Sequence, residues 1–232
     1  MINKQSLWLA ALMGASLFAA PALAQDDKGE AETLSAPAPD FILSEAPKDR
    51  VIGKTTAPIT MIVYASVTCP HCGDWFTHQW PTVKKELVET GKLRVVFRPF
   101  PTAPQQLSMV GFVIAECAQD DAYFDVIEYQ MENQESIFEQ AKAGKGREAY
   151  LKVAKTAGLN DEQALEACLT DQSNVEPIHL STERAQAGKI RGVPAFLING
   201  DIYSGGQEAS ALIKLIDEMN DKGLSVLPKN LP

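Results

Sequence analysis

Two cysteines separated by two residues are the part of the sequence best suited to chemistry: Cys69-Pro70-His71-Cys72. Thiols at this spacing form and exchange disulfides, because one helical turn brings their sulfurs close together. The same spacing could supply half of a zinc site or an inert loop disulfide. A structural zinc ion needs four ligands, however, and the sequence holds no second Cys-x-x-Cys. The residues therefore favour redox chemistry, with metal binding and a structural role as the alternatives.

The segment that carries the thiols predicts a strand running into a helix. Residues 59–64 are apolar and rich in β-branched side chains, and Pro58 precedes them. Cys69 then falls at the helix N-cap, and Pro70 at the first helical position, where a missing N–H leaves no hydrogen bond unmade. The free N–H groups and the positive end of the helix dipole would lower the pKa of Cys69. A stabilised thiolate leaves easily, so the Cys69–Cys72 disulfide is predicted to be an oxidant.

This motif, following an apolar strand, resembles the active site of the DsbA-type thiol-disulfide oxidoreductases of the thioredoxin superfamily. The resemblance extends over about residues 49–218 and implies an α/β fold, a thioredoxin-like mixed sheet with an inserted α-helical subdomain. Helical spacing of apolar residues across the middle of the chain agrees with that insertion. The predicted organisation is a signal peptide at 1–24, a disordered leader at 25–39, the thioredoxin-like domain at 40–101 and 188–222, the helical subdomain at 102–187 and a tail at 223–232.

A second motif, Val193-Pro194 ahead of an apolar run, is similar to the loop that faces the thiols in that superfamily. The resemblance implies a cis Val193–Pro194 bond. It also implies that the Pro194 ring crowds Cys69 and excludes metal, while the Val193 backbone pairs with an extended substrate segment. The catalytic set is then Cys69, Cys72, Pro70, His71 and Pro194. Trp75, on the helix after the thiols, is either a core residue or part of the substrate surface.

Further elements follow from local signals. Asn199-Gly200 after the second apolar run predicts a tight hairpin. Pro81 predicts a kink in the helix that carries Trp75. Residues 41–43, which are apolar, are read as a first edge strand. One departure from the family concerns Val63, six residues before Cys69, where many relatives carry a buried acid that helps to move protons from the resolving thiol. Without that acid, proton handling at Cys72 falls to water or to an unidentified group.

The first 24 residues are typical of a secretory signal. Lys4 precedes an apolar run over residues 7–20, and Ala22-Leu23-Ala24 forms a cleavage site, so the mature chain would begin after Ala24 in the periplasm. An uncleaved membrane anchor is the alternative. This segment holds one of the 21 basic and none of the 30 acidic residues, which leaves 208 residues with a net charge of −10. Such an acidic chain is a poor partner for nucleic acid or an anionic membrane.

Two more cysteines, Cys117 and Cys168, lie on apolar helical faces of the predicted insertion. In an exported protein with an even cysteine count, a structural disulfide between them is favoured, with buried free thiols as the alternative. Closing a loop of this length stabilises a fold by roughly 4 kcal/mol in the chain-entropy model. Neither residue begins a helix, so we expect a contribution to rigidity and not to catalysis.

The sequence therefore predicts an exported disulfide oxidase with no cofactor beyond the Cys69–Cys72 disulfide and no bound metal. Its expected substrates are unfolded or folding exported proteins with cysteines, and the resemblance implies reoxidation by a quinone-linked membrane partner of the DsbB type. The short predicted leader cannot form a dimerisation domain, which favours a monomer. Two alternatives remain: a disulfide reductase or isomerase, and a copper-binding protein that uses Cys69, Cys72 and His71.

Overall fold

The computed structural model describes residues 42–119 and 121–228. The predicted signal peptide, the predicted leader and the last four residues of the predicted tail lie outside the described residues. Within those ranges, no helix combines the length and the apolar character needed to cross a membrane.

A five-stranded mixed sheet lies at the centre of the fold, with the strand order β1-β3-β2-β4-β5. Among the strands in residues 42–119 and 121–228, only β2 and β3 are parallel neighbours, and the other three pairs are antiparallel. This arrangement confirms the predicted thioredoxin-like mixed sheet. The strands are β1 (Arg50–Ile52), β2 (Ile59–Ala65), β3 (Leu93–Pro99), β4 (Ala195–Ile198) and β5 (Asp201–Tyr203).

In the described chain, the helices lie between strands and after the last strand. Between β3 and β4 the described chain forms six α-helices, and the last helix follows β5. The helices are α1 (Pro70–His78), α2 (Trp80–Val83), α3 (Gln105–Glu116), α4 (Tyr123–Glu132), α5 (Gln134–Lys142), α6 (Gly146–Thr156), α7 (Glu162–Thr170), α8 (Glu176–Ala187) and α9 (Ala209–Asp221), with a π-helical segment at Lys84–Val88 and a 3₁₀ turn at Gln172–Asn174.

Strand alternation divides the core into two layers. Met61, Val63 and Ala65 of β2 face the larger layer, which includes Cys72 and the aromatic residues of α1. Ile62 and Tyr64 point to the opposite face, where they pack with residues of α8 and the segment after it. Because successive strand residues point to opposite faces, β2 is buried on both sides, as its continuous apolar sequence requires.

The hairpin between β4 and β5 forms at the predicted turn. Asn199 and Gly200 both have positive φ angles, 49° and 92°, as a two-residue type I′ turn requires. The side chain of Asn199 also accepts a hydrogen bond of 2.8 Å from the backbone N–H of Thr60. The turn therefore fixes the register of β4 against β2, and with it the loop that precedes β4.

Two local predictions are wrong or displaced. Ile42 and Leu43, part of the predicted edge strand, lie in a turn and a bend, and the edge strand is β1 instead. The predicted kink at Pro81 appears earlier, at Gln79, where α1 ends and α2 begins. A proline lacks the N–H that would bond to the carbonyl four residues before it, so the distortion falls on the preceding turn.

A buried ion cluster joins the N-terminal segment to the sheet and to α8. Asp49 accepts hydrogen bonds from Arg98 of β3 at 2.8 Å and from Arg184 of α8 at 3.0 Å. The Arg98 side chain is fully buried and also donates to the Tyr64 hydroxyl at 2.9 Å. Two buried guanidinium groups thus share one carboxylate, which makes Asp49 the residue on which this face of the fold depends.

Candidate active site

Both thiols of the Cys-x-x-Cys motif lie at the carboxyl end of β2, where open α/β sheets place their sites. Cys69 is the N-cap of α1 and has an extended backbone, and Pro70 occupies the first turn, both as predicted. Cys72 lies one turn further on and is fully buried, whereas Cys69 is partly exposed. Both cysteines are free thiols. Cys69 can be reached from solvent, whereas Cys72 is buried.

The thiol of Cys69 is strongly acidified. A hydrogen bond from the Cys72 thiol lowers the pKa of Cys69 to about 5, and the backbone N–H groups of Cys72 and His71 act in the same direction. The sequence predicted the contribution of the free N–H groups, but it missed the larger contribution of the neighbouring thiol. At neutral pH Cys69 is therefore a thiolate, the form that attacks and leaves in disulfide exchange.

The thiol of Cys72 is perturbed in the opposite direction. Its hydrogen bond to Cys69 and its burial raise the pKa of Cys72 far above the ordinary value. The backbone N–H of Ser66 donates to its sulfur at 3.4 Å. The reduced pair therefore holds one negative charge, on the exposed sulfur, and one proton, on the buried sulfur.

The loop before β4 reaches the sulfur of Cys69. The peptide bond between Val193 and Pro194 is cis, and the carbonyl oxygen of Val193 lies 3.5 Å from Cys69 Sγ, where it accepts a hydrogen bond only when the Cys69 thiol is protonated. Val193 and Pro194 are both partly exposed. Two parts of the chain 124 residues apart are thus brought together around Cys69.

A groove of about 400 Å³ runs beside the thiols. Trp75 borders it but is only 3% exposed, and its indole N–H donates to the carbonyl of Gln207 at 2.8 Å. The ring also contacts Phe196 at 5.0 Å between centroids, so Trp75 is first of all a core residue. The lining residues are His71, Asp74, Trp75, Gln79, Val193, Pro194, Gln207 and Glu208.

A larger cavity of about 560 Å³ lies elsewhere and is bordered by Lys48, Arg50 and Glu116 among others. It contains no thiol in its lining, so the smaller groove beside Cys69 is the better candidate for the site. In the ranges that the structure describes, no three side chains of His, Cys, Asp or Glu converge as metal ligands would.

The other two cysteines lie away from this site. Cys117, at the end of α3, and Cys168, on α7, form a disulfide with a Cα–Cα distance of 6.0 Å. Asn174 donates hydrogen bonds to the sulfur of Cys117 and to the carbonyl of Cys168, so this disulfide also holds the 3₁₀ turn.

Val63 is fully buried in the apolar layer that includes Cys72.

Several polar side chains near the thiols were not identified from the sequence. Gln134, at the start of α5, donates hydrogen bonds to the carbonyls of Val67 and Cys69 at 2.9 and 3.1 Å. This bond ties the helical insertion to the loop that carries the nucleophile. The hydroxyl groups of Ser66 and Thr68 are buried in the same loop. The sequence Ser66-Val67-Thr68, directly before the Cys-x-x-Cys motif, was the signal that could have indicated these buried hydroxyl groups.

A family model described as thioredoxin matches residues 45–218, which is most of the chain. The chain belongs to the thioredoxin family. Among the curated members that it resembles, a Rickettsia bellii protein is 28% identical over 178 residues, and its name describes it provisionally as a protein-disulfide oxidoreductase. That match covers 75% of this chain and 67% of the relative. A Bacillus anthracis protein, named with similar reserve as disulfide bond formation protein D, is 25% identical over 72% of this chain and 76% of its own length.

The similarity to solved structures includes the helices inserted between β3 and β4 as well as the sheet. The crystal structure of alpha-DsbA1 from Wolbachia pipientis matches with a TM-score of 0.69, at 23% identity, over 80% of this chain and 97% of that one. This likeness confirms the predicted DsbA-type fold. Across the five similar Rickettsia proteins, the chain covers between 55% and 67% of the relative's length.

Proposed function

We propose that this member of the thioredoxin family is an exported thiol-disulfide oxidoreductase that works as a disulfide oxidase. The observation that carries the proposal is the opposite perturbation of the two thiols, with the pKa of Cys69 lowered to about 5 and that of Cys72 raised. A fold that stabilises the Cys69 thiolate stabilises the reduced pair. The oxidised pair then passes its disulfide readily to other thiols.

The reaction begins when a substrate thiolate attacks the exposed sulfur of Cys69 in the oxidised pair. A mixed disulfide forms, and Cys72 leaves as a thiolate that takes a proton from water. A second substrate thiolate then attacks its own sulfur in the mixed disulfide and releases Cys69, which stays ionised because its pKa is low. The substrate leaves with a new disulfide. The protein has gained two electrons and one proton, which it holds as the Cys69 thiolate and the Cys72 thiol.

Each neighbouring residue has a role in this scheme. Pro70 starts the helix whose N–H groups face the sulfur, and His71 adds an N–H and positive charge beside it. Pro194 closes the other side of Cys69, and the Val193 backbone holds the substrate segment as an added strand. Trp75 supports the groove floor from the core. The disulfide itself carries the electrons, so the reaction requires no further cofactor.

The proposed setting follows from the predicted signal peptide and the names of the relatives. Substrates are unfolded or folding exported proteins with cysteines, and the reduced pair is reoxidised by a quinone-linked membrane partner of the DsbB type. The protein acts in the periplasm as a monomer. Cell fractionation and light scattering on the purified mature chain test the location and the monomeric state independently of the chemistry.

The test of direction is the equilibrium reduction potential of the Cys69–Cys72 pair against glutathione. We expect a potential well above the value of about −270 mV for thioredoxin. A potential at or below that value would make the protein a reductase or a thiol carrier and would overturn the proposed direction. A pair that does not equilibrate with glutathione at all would contradict thiol-disulfide exchange altogether.

A further inference from the structure

Three hydroxyl side chains form a closed triangle beneath the thiols. Ser66 Oγ and Thr68 Oγ1 are 3.1 Å apart, Thr68 Oγ1 and Thr102 Oγ1 are 2.9 Å apart, and Thr102 Oγ1 donates to Ser66 Oγ at 2.9 Å. Ser66 is fully buried, Thr68 is 4% exposed, and Thr102 is partly buried. We refer to Ser66, Thr68 and Thr102 as the hydroxyl triangle.

Backbone groups complete the triangle. The N–H groups of Thr68 and Thr102 both point to Ser66 Oγ at 3.3 Å, and Thr68 Oγ1 donates to the carbonyl of Thr102 at 3.1 Å. Ser108, also fully buried, donates to the same carbonyl at 3.0 Å. The loop after β2 is thereby fastened to the loop after β3 by side chains whose burial would be costly without these bonds.

Ser66 connects the triangle to both thiols through its peptide groups. Its carbonyl accepts a hydrogen bond from the N–H of Cys69 at 3.1 Å, and its own N–H donates to Cys72 Sγ at 3.4 Å. The second bond lowers the pKa of Cys72, against the larger effects of burial and of Cys69. It therefore favours negative charge on a sulfur whose surroundings otherwise oppose that charge.

We infer that the hydroxyl triangle is a positioning device for the leaving group of the disulfide-donating step. The inference rests on the proposed function. In that step a bond forms between the attacking sulfur and Cys69 Sγ, and the Cys69–Cys72 bond breaks. The bonding electron pair departs on Cys72 Sγ, which later takes a proton from water. The triangle holds the Ser66 N–H on that buried sulfur while the charge develops.

This role suits a chain whose β2 carries Val63 and no buried acid. A carboxylate beside the buried thiol would act by moving protons, whereas an N–H group stabilises the charge directly and moves none. Ser66, Thr68 and Thr102 are thus positioning residues that act through the Ser66 peptide, and Cys72 remains the reacting group.

The test compares two reactions of purified variants. The first is the opening of the oxidised Cys69–Cys72 disulfide by excess dithiothreitol at pH 7, measured by acid quench and mass spectrometry, in which Cys72 must leave. The second is alkylation of Cys69 by iodoacetamide in a Cys72→Ser background, in which Cys72 takes no part. Thr102→Val removes a hydroxyl of the triangle and has no direct contact with either thiol in its hydrogen bonding.

We expect Thr102→Val to slow disulfide opening about threefold, because a less firmly held Ser66 N–H keeps part of its hydrogen bond to Cys72, whose complete loss would cost roughly tenfold. Alkylation should change less than twofold. Thr102→Ser, which keeps the hydroxyl, should restore most of the opening rate. Thr182→Val is the matched control, because among the described residues the hydroxyl of Thr182 bonds only within α8, to the carbonyl of Ile178 at 2.9 Å.

Equal opening rates for Thr102→Val and the parent would overturn the inference, as would an equal slowing of both reactions, which would indicate general loosening. If Thr102→Val does not fold, Ser66→Ala removes another hydroxyl of the triangle and carries the same expectation. A parent protein whose disulfide is not opened by dithiothreitol would instead contradict the proposed function. The two failures are therefore distinguishable.

Discussion

Reduction of the Cys69–Cys72 pair should stabilise the protein increasingly as the pH rises from 4 to 7. The pKa of the Cys69 thiol is lowered from 9.0 to about 5 in the folded protein. A group whose folded pKa is depressed contributes stability that is complete above its unfolded pKa and is lost as the pH falls through its folded pKa. The oxidised protein has no thiol to ionise at this pair, so it lacks this pH dependence.

The size of the effect follows from the linkage relation. Between pH 4 and pH 7 the folded thiol ionises and the unfolded thiol does not, which corresponds to about 2.7 kcal/mol at about 1.36 kcal/mol per pH unit. Because Cys69 is partly exposed, solvent screening reduces the expected change by about half, to about 1.3 kcal/mol. The raised pKa of Cys72 affects folding only above about pH 8, where the unfolded thiol ionises.

A pH-independent contribution works in the other direction. Closing the short Cys69–Cys72 loop stabilises the oxidised form by roughly 2 kcal/mol in the chain-entropy model. The difference in stability at any single pH therefore mixes two effects. The slope of that difference with pH isolates the Cys69 thiolate.

The assay is urea unfolding of the oxidised and reduced protein at pH 4, 5, 6 and 7. We expect the free energy of unfolding of the reduced form, minus that of the oxidised form, to rise by about 1.3 kcal/mol across this range. A reduced Cys69→Ser variant is the control and should show no such rise relative to the oxidised parent. A difference that is flat or falls with pH would refute the assignment of a thiolate to Cys69.

Three further predictions concern single parts of the structure. Cys72→Ala should raise the pKa of Cys69 by at least about one unit, measured by alkylation against pH, because the Cys72 thiol is the largest cause of its acidity; Cys72→Ser should keep most of the shift. Asp49→Ala should lower the free energy of unfolding by about 3–5 kcal/mol in urea, since it leaves two buried arginines without their carboxylate; a loss below about 1 kcal/mol would contradict this. Replacing both Cys117 and Cys168 by Ala should lower the free energy of unfolding by about 2–4 kcal/mol. The pKa of Cys69 should not change, and a changed pKa would show that this disulfide acts on the site.

The sheet and the position of the thiols could be predicted because local signals specify them. The β-branched run of β2, the proline in the first turn of α1 and the Asn199-Gly200 turn each determine the backbone over a few residues. The parallel pairing of β2 and β3 then follows from the length of the connection between them. Residues close in sequence thus carried most of the fold.

What the sequence did not reveal depends on contacts between distant residues. Asp49 lies 49 residues from Arg98 and 135 from Arg184, and charged side chains ordinarily indicate solvent-exposed positions. The hydroxyl triangle similarly requires Thr102 to meet Ser66 across two loops. The acidifying bond from Cys72 to Cys69 depends on rotamers that spacing alone does not determine. Long-range polar pairing therefore had to be seen in the structure.

The interruption of the helix at Gln79 has a consequence for how a substrate segment would be received. The side chain of Gln79 accepts a hydrogen bond of 2.9 Å from the N–H of Ala209, at the start of α9, while Trp75 donates to Gln207 one turn earlier. Two hydrogen bonds, one at Gln79 and one at Trp75, thus connect the two sides of the groove before any segment binds. A polypeptide that binds should meet a preorganised groove. The entropy lost on association should therefore come from ordering the polypeptide and hardly at all from ordering the groove.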